Sequence, residues 1–510
     1  MKHLLCCLAC LTTAFADTPQ QAAARIDTAL MRDYLMAQQQ QQKRQNSLLP
    51  ALPPLADDAT FLRRACIDLA GRLPRMDEAR SFLADPSPTK RMQLTDALVK
   101  EPVAAEVRFR MLAEAFRVRD DAAVIAWLRQ AAADDRPYDQ IVTYLVGEGH
   151  LSRRDEGNAF RTGVEVAFAV LGEDLHCAQC HDHPFNDHTQ MEAHQFGACF
   201  TMNDEFDNLR LPTRYWYRDG KPGDLVKPKL MRLTREVPPN IKRGKDQRLL
   251  VAQWITGESS QRFANVAAMR VWTSLFGMPE LYADHTIGGV DPAPSWNEVH
   301  EKSAMDATFR NCVGDIHSNR ITWIGQDFSR GTTQNAMNAL ADEFRRCGHR
   351  LGEFQRILAR TNAYWRSGID FSTAWNGGYL VPAPQIRRLP SEVVWDVLSD
   401  VKSDQLPQVP PLEHPLRMLG RGTREWSDES TTPISHELAR FMLNSPEVEN
   451  AVATEPAGIS TEDLFIAIIG RLPNGMEKAI AQQHRNESPQ TAAQDIAWAL
   501  LNTTEFMFRP

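Results

Sequence analysis

Apolar residues recur at helical spacing through most of the chain. From Asp58 onward, Phe61, Leu62, Ala65, Cys66 and Leu69 fall at i, i+3 and i+4, which puts them on one face of a helix. Gly71 and Pro74 close that helix, because glycine admits a left-handed turn and proline cannot continue the ladder. Ser87-Pro88 predicts the next start, with Ser as N-cap and Pro at the first helical position. Met92, Leu94, Leu98, Met111, Leu112, Ala115 and Phe116 carry the pattern on to about Ala133. Between 203 and 245 it changes. Arg214-Tyr215-Trp216-Tyr217 alternates and is followed by the turn pair Asp219-Gly220, which predicts a β-hairpin; Pro222, Pro228, Pro238 and Pro239 come after it. Helical periodicity resumes near Arg248 and runs to the end, interrupted by Pro-rich loops at 291–294 and 407–415.

The fold class expected is mainly α, with two helical domains joined by a short β-hairpin and Pro-rich segment. Residues 17–57 read as a polar helix and linker, with the glutamine run Gln38 to Gln42 before Pro53-Pro54. The first helical domain spans 58–205, the connector 206–245, and the second helical domain 246–510. One echo crosses the two halves: Gly71-Arg72-Leu73-Pro74 with Glu78, and Gly470-Arg471-Leu472-Pro473 with Glu477 at the same offset. Each follows an apolar helix, the second capped by Ser460, and the shared helix–turn–helix device is the simplest account of it.

The first residues change the picture of where this chain works. Lys2 and His3 precede the apolar run Leu4 to Thr13, and Ala14-Phe15-Ala16 is a small-x-small cleavage signature. Residues 1–16 therefore read as a secretory signal peptide cleaved after Ala16, giving a periplasmic or secreted protein. No later stretch has the ~20 apolar residues a membrane span needs. The formal charge of −8 does not supply the basic face of a nucleic-acid binder. Cleavage leaves Cys66, Cys177, Cys180, Cys199, Cys312 and Cys347, too sparse for a disulfide scaffold, although Cys312 and Cys347 could pair in an oxidising compartment.

The chemistry concentrates between His176 and Cys199, which hold three of those cysteines together with His176, His181, His183, His188 and His194. Cys177-Ala178-Gln179-Cys180-His181 is the Cys-x-x-Cys-His spacing that covalent haem attachment requires. Two thiols one turn apart add to the porphyrin vinyl groups, and the adjacent imidazole becomes the proximal iron ligand. Cys177, Cys180 and His181 are then the c-type haem residues, and Met191, His188, His194 and Met202 are nearby candidates for the distal position. Export agrees with this, since c-type haem is attached outside the cytoplasm. The same segment also suits zinc, with Cys177, Cys180 and Cys199 plus His181 or His183 as a tetrahedral set and His188 and His194 as further imidazoles. A packed Cys/His turn without ligand, or a Cys177–Cys180 disulfide, stays open beside them. His181-x-His183 with Asp187-His188 has the wrong spacing for the hydrolytic His-x-His-x-Asp-His loop, and no Gly-x-Ser-x-Gly elbow or His-Glu-x-x-His helix occurs. No catalytic residues can be assigned. Trp272, Trp323, Trp365, Trp375 and Trp395 read as core or interface anchors before a sugar platform.

Several motifs carry a family resemblance. Phe61-Leu62-Arg63-Arg64, Asp68-Leu69-Ala70-Gly71, Phe82 to Pro88, Arg136-Pro137-Tyr138-Asp139 and Cys177 to Phe185 resemble the DUF1549 domain, also called a planctomycete-type cytochrome c region. Arg262-Phe263-Ala264, Arg270-Val271-Trp272, Arg387 to Glu392, Leu443 to Pro446 and Ala499 to Asn502 resemble its usual companion, DUF1553. The resemblance implies an exported bacterial protein, and its cytochrome name rests on the same Cys-x-x-Cys-His. His188 stands before Thr189-Gln190 where the family usually has Trp or Pro-Ile. Together these readings lead to a periplasmic c-type haem protein for redox or electron transfer, with a redox or protein partner in that compartment. The alternatives are a structural or interaction protein with a zinc-like Cys/His staple, and an accessory enzyme of extracellular polymer breakdown.

Overall fold

The computed structural model of the protein describes residues 18–43, 51–151, 158–173, 175–183, 188–201, 209–231, 245–257, 261–277, 334–369, 382–424, 436–456 and 458–509. The expected signal peptide, Met202, Asp187, Cys312, Trp323 and Trp375 lie outside the described residues. The fold is mainly α, as the periodicity predicts, and the one sheet among the described residues has two strands, Arg387–Arg388 antiparallel to Phe508–Arg509.

Local signals fix most helix ends. Asp57 accepts the Thr60 amide at the start of helix Asp58–Ala70, and Gly71, at φ 63°, ends it by donating to the carbonyls of Cys66 and Ile67. The Ser87-Pro88 expectation is off by two residues: the helix begins at Lys90, and Ser87 Oγ bonds to Thr89 Oγ1 at 2.9 Å within the preceding turn. The glutamine-bearing helix Pro19–Lys43 is more than a polar lead-in. It buries Ala22, Ala23, Ile26 and Leu30 against helix Gln334–Arg346, and its Arg25 pairs with the buried Glu343 at 2.6 Å.

The connector differs from the expected hairpin in kind. Pairing is confined to a bridge between Arg210 and Leu225, and residues 214–221 form turns between them instead of strands. Tyr215 turns inward onto Leu211, Val226 and Ala198, while Trp216 is exposed. The alternation is thus real, but it packs one ring onto the helical body, and among the described residues no neighbouring strand extends it.

Nor does the apolar core divide at 206–245. Helix Tyr138–Gly147 packs on helix Lys245–Thr256, so closely that a Cβ on Gly147 would lie 2.6 Å from the Leu249 side chain. The Tyr138 ring stacks on Phe263 at 5.4 Å, and Phe61 meets Tyr364 and Trp365. One core therefore runs from Ala22 to Tyr364. A second gathers Leu389 to Leu398, Leu438 to Val448, Leu464 to Ile469 and Ala493 to Phe506, and touches the first through Ile67 and Ile466. Residues 209–231 are an excursion from a shared core.

Motif arginines join these layers by donating to carbonyls at helix ends, where the intrahelical ladder runs out of donors. Arg63 reaches Ile468 and Phe506, Arg64 reaches Tyr364 and Arg366, and Arg387 reaches Thr273 and Leu275. The two Gly-Arg-Leu-Pro turns are built alike. Arg72 holds Glu78 through two nitrogens, at 2.8 and 3.0 Å, and Glu101 at the start of helix Pro102–Ala115. Arg471 holds Glu477 at 2.8 Å through two nitrogens, and Glu505 at the start of helix Thr504–Met507. Each arginine also bonds the carbonyl of the following leucine at 3.0 Å.

Candidate functional site

The Cys-x-x-Cys-His segment leaves the body through an uncommon piece of helix. Helix Ala159–Val166 widens into a π-turn over Ala167–Leu171 and is stopped by Gly172 at φ 61°. This helix lies against helix Gln190–Gly197 through two glycines. A Cβ on Gly163 would stand 2.8 Å from the Gly197 Cα, and one on Gly197 would stand 2.9 Å from the Phe160 Cα, so only glycine allows this approach.

The segment itself is a single 3₁₀ turn, Cys177–Gln179, in which the Cys180 amide donates to the Cys177 carbonyl at 3.3 Å. Ala178 is fully buried beneath the turn, and Cys177 and Cys180 face outward as exposed thiols. His181 follows, half-buried. Its Nδ1 lies 2.6 Å from the Asp182 carbonyl oxygen, which can only accept, so Nδ1 carries a proton. Asp182 is itself fixed twice. Its amide donates to Tyr217 Oη at 2.6 Å, and its carboxylate accepts the Gln190 amide at 2.8 Å. Gln190 reaches back to the Gln179 carbonyl at 2.9 Å, and the His183 amide closes on the His188 carbonyl at 2.8 Å.

The remaining sequence candidates are placed differently. Cys199 is buried, with its thiol against the carbonyls of Gln195 and Lys229, and burial pushes its pKa up to about 12. His194 is buried against Phe160 and gives its Nδ1 proton to the Gln190 carbonyl at 2.9 Å; burial lowers its pKa. His188 lies between two carboxylates, Nε2 to Glu173 at 2.9 Å and Nδ1 to Glu192 at 3.1 Å. Burial opposes its charge, but the two carboxylates outweigh that and raise its pKa to about 9. As an imidazolium with both nitrogens engaged, it offers no lone pair to a metal, distal haem iron included. His183 is buried. Among the described residues no three His, Cys, Asp or Glu side chains converge as a metal would require.

The arrangement therefore brings Cys177, Cys180 and His181 together on one turn and leaves Cys199, His188 and His194 in separate packed environments. Two outward thiols one turn apart, followed by an imidazole oriented through Nδ1, form a donor set that fits covalently attached haem. Thiolate addition to vinyl groups needs exposed sulfur, which both cysteines have. Of the tryptophans, Trp272 is buried and stacked on Phe276 at 3.7 Å, Trp395 donates to the Val401 carbonyl and Trp365 to that of Ala359, which suits anchors and not a sugar platform.

Spacing within the Cys/His segment gave no sign of Glu173, Glu192, Tyr217, Arg262 or Arg270, which surround it. Arg262 donates to the Leu171 carbonyl at 2.6 Å and pairs with Glu173 at 2.9 Å, and Arg270 donates to the Ala169 carbonyl at 2.7 Å. Their spacing of eight along helix Gln261–Phe276, which puts both on one face, was a usable signal. Beside the turn, His176 approaches Glu165 at 3.6 Å, and Glu165 pairs with Arg117 at 2.8 Å; burial opposes the Glu165 charge, but its contacts with His176 and Arg117 outweigh that and lower its pKa.

No curated protein and no solved structure matches the chain. Residues 33–168, from the N-terminal helix to the π-turn that leads into the thiol segment, match the family model PSCyt2, described as a protein of unknown function (DUF1549).

Proposed function

We propose that the protein is an exported c-type haem protein of redox or electron-transfer type, with Cys177 and Cys180 as thioether donors and His181 as the proximal ligand. The observation that carries this reading is the outward presentation of both thiols on one 3₁₀ turn, with His181 next in line and its Nδ1 proton given to the Asp182 carbonyl. A carbonyl on Nδ1 fixes the tautomer and raises the basicity of Nε2, as iron ligation requires. Haem, when bound, would supply the one-electron couple. The chain's own residues bind and orient it: Ala178 anchors the turn from below, and Gln190, Asp182 and Tyr217 hold the imidazole's backbone in place. The reading also draws on the family match leading up to this turn, on the signal-peptide pattern of residues 1–16, and on the resemblance of the second half to DUF1553.

The test is protein produced in a host with c-type haem maturation. The expected result is a Soret band and a haem-stained band that survives denaturing electrophoresis, both lost in Cys177→Ser/Cys180→Ser. Colourless protein from such a host overturns the reading. The alternative of a zinc staple predicts instead about one zinc per chain by elemental analysis and loss of cooperative unfolding on chelation.

A further inference from the structure

We propose that Arg262 and Arg270 are positioning residues for the thiol turn, holding it from the second half of the chain through a buried relay of Arg262, Glu173 and His188. The turn is flanked by the π-turn and Glu173 on its N-terminal side and by His183 and His188 on its C-terminal side. The two sides are tied together. Glu173 Oε2 meets His188 Nε2 at 2.9 Å, and the His188 carbonyl accepts the His183 amide at 2.8 Å. Glu173 Oε1 meets Arg262 at 2.9 Å, and His188 Nδ1 meets Glu192, on the helix that follows, at 3.1 Å.

Two cations and two carboxylates thus alternate along one line, and the Glu173 and His188 side chains at its centre are both under 5% exposed. Such a set balances its charge only when complete. Removing one member strands a buried charge, which costs far more than a surface pair would. The N-terminal side is held a second time. A π-turn leaves carbonyls at its end without their usual donors. Arg270 and Arg262 take those of Ala169 and Leu171 at 2.7 and 2.6 Å. Both arginines belong to one face of helix Gln261–Phe276, so a single rigid element sets where the thiol segment leaves the body and where its two sides are tied.

This explains two arginine-containing motifs that the thiol chemistry itself does not use. It also means that the thiol turn is completed by a part of the chain far from it in sequence. The inference rests on the turn 177–181 being the site, as read above, and is independent of what binds there.

Hydrogen exchange read by mass spectrometry on the full-length protein without haem tests it, together with the alkylation rate of Cys177 and Cys180 by iodoacetamide. Arg262→Gln and Glu173→Gln are compared with the wild type and with Arg262→Lys. The expected result is exchange of amides 175–183 faster by about tenfold or more in Arg262→Gln and Glu173→Gln, with faster alkylation and partial rescue by lysine. Amides of helix Thr461–Ile468, in the second core, keep their wild-type protection and report that the fold persists. Unchanged exchange and alkylation at the turn overturn the proposal, as does loosening spread evenly over both cores. Should Arg262→Gln not fold, the milder Glu173→Gln alone decides between these outcomes. Failure of haem attachment in wild-type protein with a rigid turn would sink the haem reading and leave this inference standing.

Discussion

His188 shows how much a single side chain's neighbours decide. Placed between Glu173 and Glu192 and shut away from water, it is held as an imidazolium with a pKa raised to about 9. Its ordinary value is about 6.5, so its contribution to stability is complete below about pH 6.5, declines through the interval, and is gone above about pH 9. The size is on the order of 3 kcal/mol. Urea unfolding of wild type and His188→Gln should therefore differ most near pH 6 and converge near pH 9.5; a constant difference across that range would contradict the clamp. From sequence alone His188 was indistinguishable from a metal or distal haem ligand, because an imidazole in a Cys/His-rich stretch looks the same whether a cation or two carboxylates face it. The grouping of Cys177, Cys180 and His181 on one turn was legible because it follows from their spacing. Cys199 was misleading for the converse reason: spacing does not report burial, and its thiol is spent on two carbonyls in the core.

At the scale of elements, the Gly-Arg-Leu-Pro turns offer a matched pair. Both use one arginine to hold two carboxylates, one seven residues after the glycine and one at the start of a later helix. They differ in exposure. The Arg72, Glu78 and Glu101 side chains are each under a fifth exposed, whereas Glu505 beside Arg471 is 45% exposed. Arg72→Ala should cost about 3 kcal/mol, because it strands two carboxylates poor in water. Arg471→Ala should cost about 1 kcal/mol or less, since water replaces its bonds. Equal losses by chemical denaturation would show that burial is not what separates them. The repeated glycine, proline and glutamate announced the turn; the second carboxylate was invisible, since it arrives from a different helix at a different offset in each copy. The expected hairpin failed for a related reason. The alternation of Tyr215, Trp216 and Tyr217 describes which rings face inward, and that pattern needs no strand when the inward side packs on helices.

For the whole molecule, the decisive feature is that the first core is assembled from both sides of the Pro-rich connector. Helix Tyr138–Gly147 against Lys245–Thr256, and helix Pro19–Lys43 against Gln334–Arg346, are contacts that no local pattern could reveal, because periodicity tells which face is buried and not against what. The mainly helical class was legible; the sharing of the core was not. A fragment of residues 17–205 would expose Tyr138, Ile141, Val142 and Leu145, all buried in the full chain. Such a fragment should lack a cooperative thermal transition by circular dichroism, whereas a cooperative melt with native-like helicity would show that the first half is self-sufficient. The thiol turn inherits this dependence, since its π-turn is held by arginines from beyond the connector.

The proposed haem attachment rests on the outward thiols of Cys177 and Cys180 beside His181. Intact mass spectrometry of the denatured protein, made in a haem-maturing host, is the most direct measurement of it. Covalent attachment predicts a mass increased by one haem over the bare polypeptide, with the increment on the peptide that contains both cysteines. A mass equal to the bare polypeptide, or lower by the two hydrogens of a disulfide, would contradict it.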